Sequence, residues 1–158
     1  MTRTQRKPPR GFQAMLWRLP IYLYRWNLGW VIGERLLLLK HIGRNSGKER
    51  EAVLEVVRHD TQDDSYYVCS GFGKLSHWYQ NLEANPDVKI QVGKRKLDVH
   101  AELLSPSACG DEMVRYAEHH PKLAQNLMQV VGHDAPPTIE GYRPLAEQFL
   151  PFVKFTPR

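Results

Sequence analysis

The sequence predicts a small antiparallel β-barrel with peripheral helices, a mainly β chain of the α+β class. Five or six short runs carry strand character, most of them between residue 35 and residue 104. Several are joined by turns too short for a crossover helix, so neighbours pair antiparallel. The longer helical patterns lie outside these runs, and such a strand set closes most simply on itself.

The elements follow in order. Residues 11–32 carry Phe12, Leu16, Leu19, Leu23, Trp26 and Trp30 on one helical stripe, with Arg18 and Arg25 away from it. Pro20 lacks an N–H, so two short helices are expected, with Pro20 in the first turn of the second. Leu36 to Ile42 and Glu51 to His59 read as strands, and the polar turn Asp60 to Asp64 leads into a returning strand, Ser65 to Ser70. Ser76 is a candidate N-cap for a short helix, His77 to Ala84, which Asn85-Pro86 ends. Val88 to Val92, the turn Gly93-Lys94 and Arg95 to Leu104 form a further hairpin. A helical region begins at Ser105-Pro106-Ser107, with Asp111 and Glu112 assigned to its positive end. Pro121 divides it, a second helix runs to Gly132, and the tail from Leu145 to Phe155 starts as helix and ends as strand.

At 158 residues, 42% hydrophobic and 25% charged, the chain fits one folded domain. Residues 1–34 would be a basic tail and amphipathic helices packed on a barrel spanning 35–158. A net charge of +5 favours anionic partners. The Lys and Arg residues are scattered over turns without a stripe, which argues against nucleic acid. No segment is long enough to cross a bilayer, and the basic N-terminus lacks a contiguous signal core. The expected location is the cytoplasm; the basic, aromatic N-terminal stretch also suits peripheral contact with an anionic membrane. Cys69 and Cys109 form no disulfide framework, and Cys69 reads as a buried thiol. The seven histidines show no ligand spacing and read as surface residues, so no metal is expected.

Chemistry concentrates in two turns. Gly43-Arg44-Asn45-Ser46-Gly47-Lys48-Glu49-Arg50 places glycines, a hydroxyl and cations between two strands. Such a turn can gather backbone N–H groups, an O–H and guanidinium groups on one anion, although a glycine-bearing turn is also ordinary structure. Ser70-Gly71-Phe72-Gly73-Lys74 would let a ligand approach the main chain, and Trp78 and Tyr79 open the following helix. Core packing is the competing reading for both aromatics. No triphosphatase loop and no nucleophile elbow is present.

The order of these features resembles the deazaflavin (F420)-dependent nitroreductase family of the split β-barrel, FMN-binding-like superfamily. The resemblance rests on Gly43-Arg44-Asn45-Ser46-Gly47 with Arg50, on Ser70-Gly71-Phe72-Gly73, and on Trp78-Tyr79-Gln80-Asn81-Leu82-Glu83-Ala84-Asn85-Pro86. It implies coenzyme F420 in a groove of the barrel. Arg44, Asn45, Ser46, Gly47, Lys48 and Arg50 would grip phosphate and the acidic tail. Ser70, Gly71, Phe72, Gly73 and Lys74 would lie by the phosphate and ring, and Trp78 and Asn81 would line the cofactor from the helix. Main chain at Val53 and Leu54 would flank the ring. Asn45 stands where lysine is common, with Lys48 nearby as partial compensation.

The activity so implied is hydride transfer from reduced deazaflavin to an electron-poor small molecule such as a quinone, enone or nitroaromatic, by a monomer or homodimer. Tyr116, Tyr142 and water are the proton sources to weigh. Two alternatives stay open: an FMN-binding oxidoreductase of the same fold, and a non-catalytic, membrane-associated carrier.

Overall fold

The computed structural model describes residues 35–158. The basic tail and the helices expected over residues 1–34 lie outside the described residues.

Among the described residues six strands close into one barrel: β1 (Leu36–Ile42), β2 (Glu49–Asp60), β3 (Ser65–Cys69), β4 (Asp87–Val92), β5 (Arg95–Leu103) and β6 (Phe152–Pro157). They run in the order β1-β2-β3-β6-β5-β4, with β4 back against β1, and every pairing is antiparallel. The expected fold is therefore the observed one. Tight turns explain most of it: Gly93, at φ +58°, joins β4 to β5. β2 starts two residues before the strand read from the sequence, because Glu49 already pairs with Ile42.

Strand β2 decides where a site can form. It pairs with β1 from Glu49 to Glu55, but with β3 only from Val56 to Asp60, and the register shifts between Val56 and Arg58. A bulge of this kind bends its strand and interrupts the ladder. The N-terminal half of β2 is consequently left with a second edge that no described strand occupies.

The helices are α1 (His77–Ala84), α2 (Pro106–His119), α3 (Pro121–Val131) and α4 (Tyr142–Phe149). Two cores result. One fills the barrel, with Leu37, Leu39, Tyr66 and Phe155, and takes Tyr79 and Leu82 from α1. The other joins α2, α3 and α4 to the barrel wall through Met113, Met128, Leu150 and Phe152. Strand β6 serves both, because its alternation sends Phe152 to the helical core and Val153 and Phe155 into the barrel.

The helix starts differ from expectation in two places. Ser105 does cap α2, accepting the Ala108 N–H at 3.2 Å, and Pro106 follows it. Asp111 and Glu112, however, lie beyond the first turn of α2 and answer cations instead of the helix dipole. Glu112 takes a two-pronged contact from Arg58, at 2.7 and 3.1 Å, tying β2 to α2, and Arg58 also stacks 4.0 Å above the Tyr67 ring. Ser76 precedes α1 but makes no capping bond; its hydroxyl turns to Ser70.

Candidate functional site

An open cleft of about 1210 Å³ lies along the edge of β2 that no described strand occupies. Residues 49–55 form its floor and the β1–β2 turn one end. Gly71, Phe72 and the start of α1 form a wall, and Tyr116 with Leu123, Leu127 and Val130 closes the far side. A pocket for one drug-sized ligand spans roughly 300–1,000 Å³. This cleft has room for a long ligand with a second molecule beside it.

The β1–β2 turn is built by its own hydrogen bonds. Gly43 N–H donates to Lys48 O and Gly47 N–H to Gly43 O, each at 2.8 Å. Lys48 N–H donates to Ser46 Oγ at 3.2 Å, so the Ser46 hydroxyl keeps its own proton to offer. Arg44 N–H goes to Asn81 Oδ1. The expectation that main-chain donors converge on an anion is thereby narrowed: four of them are used inside the protein. The side chains carry the rest. Arg44, Asn45, Ser46 and Arg50 line the cleft, whereas Gly47 and Lys48 do not. Arg50 lines the cleft and makes no ion pair among the described residues.

Gly43 is required by close approach. A Cβ there would stand 2.5 Å from Ser46 Oγ, inside van der Waals contact. A Gly43→Ala variant is therefore expected to displace the hydroxyl and weaken anion binding several-fold with little loss of fold. Titration with the deazaflavin coenzyme and thermal melting of the same sample check both halves.

Behind the turn lies a buried polar group that sequence reasoning missed. His41, taken for a surface residue, is 4% exposed, and Asn81 is 3% exposed. Asn81 Nδ2 donates to His41 Nδ1 at 2.9 Å, and Asn81 Oδ1 accepts from Arg44 Nη1 at 2.8 Å. Arg44 Nη2 lies 3.4 Å from His77 Nδ1. Period-two alternation was the available signal: His41 follows Leu37 and Leu39 on the inward face of β1. His133 is likewise buried, against Phe149, and not at the surface.

Burial, then the charge of Arg50 and the proximity of His77, push the His41 imidazole down to about 4. In the unfolded chain a histidine titrates near 6.5. Between these values the unfolded state takes up a proton that the folded state refuses, so stability falls as pH drops from about 6.5 to about 4 and is complete above that window. The loss approaches about 3 kcal/mol at its lower end. A His41→Gln variant is expected to show a shallower acid slope in denaturant unfolding at pH 7, 5.5 and 4.5.

The second turn divides its residues. Gly71 and Phe72 line the cleft; Ser70, Gly73 and Lys74 do not. Ser70 Oγ donates to Gly73 O at 2.6 Å and meets Ser76 Oγ at 2.9 Å, so this buried pair shapes the turn from behind. Gly73 takes φ +69°, a value that suits glycine. Lys74 is exposed, and its carbonyl accepts from Gln80 Nε2.

Trp78, Val53 and Leu54 all line the cleft, as does Asn81. Trp78 packs against the barrel core while meeting Tyr79 edge-on at 6.1 Å; Tyr79 itself is buried in that core. Ser46, Arg50 and Trp78 thus share one cavity. Cys69, expected as a buried thiol, is half-buried and faces the same space, with its thiol pushed up by burial. Glu49, Glu51 and Glu55 also line it. Tyr116 OH lies 3.3 Å from Glu55 Oε1, and burial with that carboxylate pushes the phenol up, so it stays protonated at neutral pH. Tyr142 belongs to the helical core and does not reach the cleft. The stripe of Leu127 and Val131 was legible in the sequence as helix, but nothing local placed it at the mouth of a cavity.

A family model described as F420H(2)-dependent quinone reductase matches residues 22–130. An F420H(2)-dependent quinone reductase of Mycobacterium tuberculosis is 30% identical over 158 residues, covering 94% of this chain and 95% of that protein. Among solved structures, an F420-H2 dependent reductase shares 23% identity at a TM-score of 0.51, covering 78% of this chain and 95% of its own. A pyridoxamine 5′-phosphate oxidase-related, FMN binding protein of Nostoc punctiforme shares 15% identity at a TM-score of 0.52, covering 89% and 80%. Both structural likenesses speak to the fold alone.

Proposed function

This chain belongs to the F420H(2)-dependent quinone reductase family, and we propose that the cleft beside β2 is where it holds both coenzyme and acceptor. It is an F420H(2)-dependent oxidoreductase of the quinone-reductase type. One observation carries the site assignment: Ser46 and Arg50 lie at one end of a cavity whose walls include Trp78, Phe72 and residues 49–55 of β2. The donor set suits the coenzyme. Arg50 offers a bidentate fork, Ser46 a hydroxyl and Asn45 an amide, as a phosphate and an acidic tail require. The floor at Val53 and Leu54 offers main-chain groups and apolar surface to a flat heterocycle.

When bound, reduced deazaflavin supplies a hydride; the protein contributes position, exclusion of water and a field. Phe72 and Trp78 would hold a ring by apolar contact. Leu123, Leu127 and Val130 would pack an apolar acceptor, a quinone, enone or nitroaromatic, on the opposite side. A quinone that accepts a hydride also takes one proton. Solvent at the open cleft supplies it, since the Tyr116 hydroxyl already donates to Glu55 and its burial and that carboxylate hold the phenol protonated. Within this reading residues 35–158 are the coenzyme-binding barrel. The protein is a monomer or homodimer in this reading.

The test is a pair of titrations of the purified protein, one with oxidised F420 and one with FMN, following each emission. Saturable binding of F420, with F420H2-dependent reduction of a soluble naphthoquinone, is the expected result. Saturation by FMN alone would transfer the site to the flavin.

A further inference from the structure

Asn81 stands between the two halves of the anion end. Its Oδ1 takes two donors from Arg44, the main-chain N–H at 3.1 Å and Nη1 at 2.8 Å, while its Nδ2 donates to His41 Nδ1 at 2.9 Å. These contacts span 37 and 40 residues and join β1, the β1–β2 turn and α1. A carboxamide has two ends of nearly equal shape and opposite hydrogen-bonding sense. With only Arg44 as neighbour it could turn and set its NH2 group against a guanidinium that has only donors. The His41 acceptor removes that choice.

We propose that His41 is a positioning residue, which fixes the orientation of the Asn81 amide and thereby holds Arg44 at the anion end of the cleft. The inference rests on the cleft being the coenzyme site. His41 can act this way because it is neutral: Nδ1 accepts and the ring proton sits on Nε2. Arg44 is exposed apart from these contacts. Without them its long side chain would sample many rotamers before meeting a ligand, and that ordering would be charged against affinity. Neither His41 nor Asn81 need touch the coenzyme for this to hold.

The experiment is fluorescence titration of the full chain with oxidised F420, beside thermal melting of each variant. His41→Leu should raise Kd about tenfold, and His41→Gln, whose Oε1 can still accept, should stay near the parent value. In an Arg44→Gln background, His41→Leu should add nothing. An unchanged Kd for His41→Leu, or a penalty that persists in the Arg44→Gln background, would each overturn the proposal. Where His41→Leu does not fold, His41→Met takes its place, since an unbranched side chain fills irregular space. Arg50→Gln separates the two levels: if it also leaves Kd unchanged, the cleft assignment itself fails. If it weakens binding while His41→Leu does not, only the positioning role falls.

Discussion

An Arg50→Gln variant is expected to bind F420 about 10–100-fold more weakly than the parent, the largest effect on function of any single change in the cleft. The reason lies in how many donors each cation still has to offer. Arg44 is positioned by Asn81 and keeps its charge, but it spends Nη1 on that amide while Nη2 lies beside His77. Lys48 is exposed and lies off the cleft. Arg50 lines the cleft and has no ion pair among the described residues, so an anion there gains a full charge-assisted contact. Such a contact contributes about 1.5–3 kcal/mol, and each 1.4 kcal/mol is tenfold in Kd. Lys48→Gln should change Kd by less than about threefold, a difference of about 0.6 kcal/mol. Isothermal titration or F420 emission at fixed ionic strength measures both, and raising salt should weaken the parent more than Arg50→Gln. Equal losses for the two variants would relocate the anion site away from the β2 edge.

The largest expected effect on stability is at Phe155. A Phe155→Ala variant should lose about 3–5 kcal/mol, because a buried phenyl ring is removed and the surrounding wall relaxes only in part. Phe155 is 0% exposed and opposes Tyr66 on β3 and Ala101 on β5. A whole domain of this size is stable by about 5–15 kcal/mol, so the change is a large share of the total. The consequence reaches the site, because β6 is the strand that joins β3 to β5 and closes the barrel. Urea unfolding should show a lower midpoint at unchanged slope, and coenzyme binding should fail at a lower temperature than in the parent. The control is Leu75→Ala, a side chain that is half exposed, which should stay within about 0.5 kcal/mol of the parent.

Much of the barrel was readable locally. Strands announce themselves by alternation and by the turns between them, and both signals sit within a few residues. Thus β1 and α1 have the bounds read from the sequence, and β4, β5 and β6 differ only at their ends. The motif residues were readable for a similar reason, since a glycine-bearing turn with cations is a local composition. Errors arose where a side chain's partner is remote. His41 was read as exposed because histidine is polar, although its place beside Leu37 and Leu39 put it inside. Asp111 and Glu112 were assigned to a helix dipole, yet their partners are Arg143 and Arg58, both distant in sequence. Ser76 looked like a cap until Ser70 claimed its hydroxyl.

By itself, then, the amino-acid order determined the strands, the two polar turns and the indole beside them, because each is written in neighbours along the chain. Only the folded arrangement decided that β3 pairs with only half of β2, that Tyr116 meets Glu55 across the cavity, and which of the turn's cations line the cleft. Those outcomes depend on pairings between residues tens of positions apart, and no local pattern encodes which groups a closed barrel will satisfy and which it will leave facing a ligand.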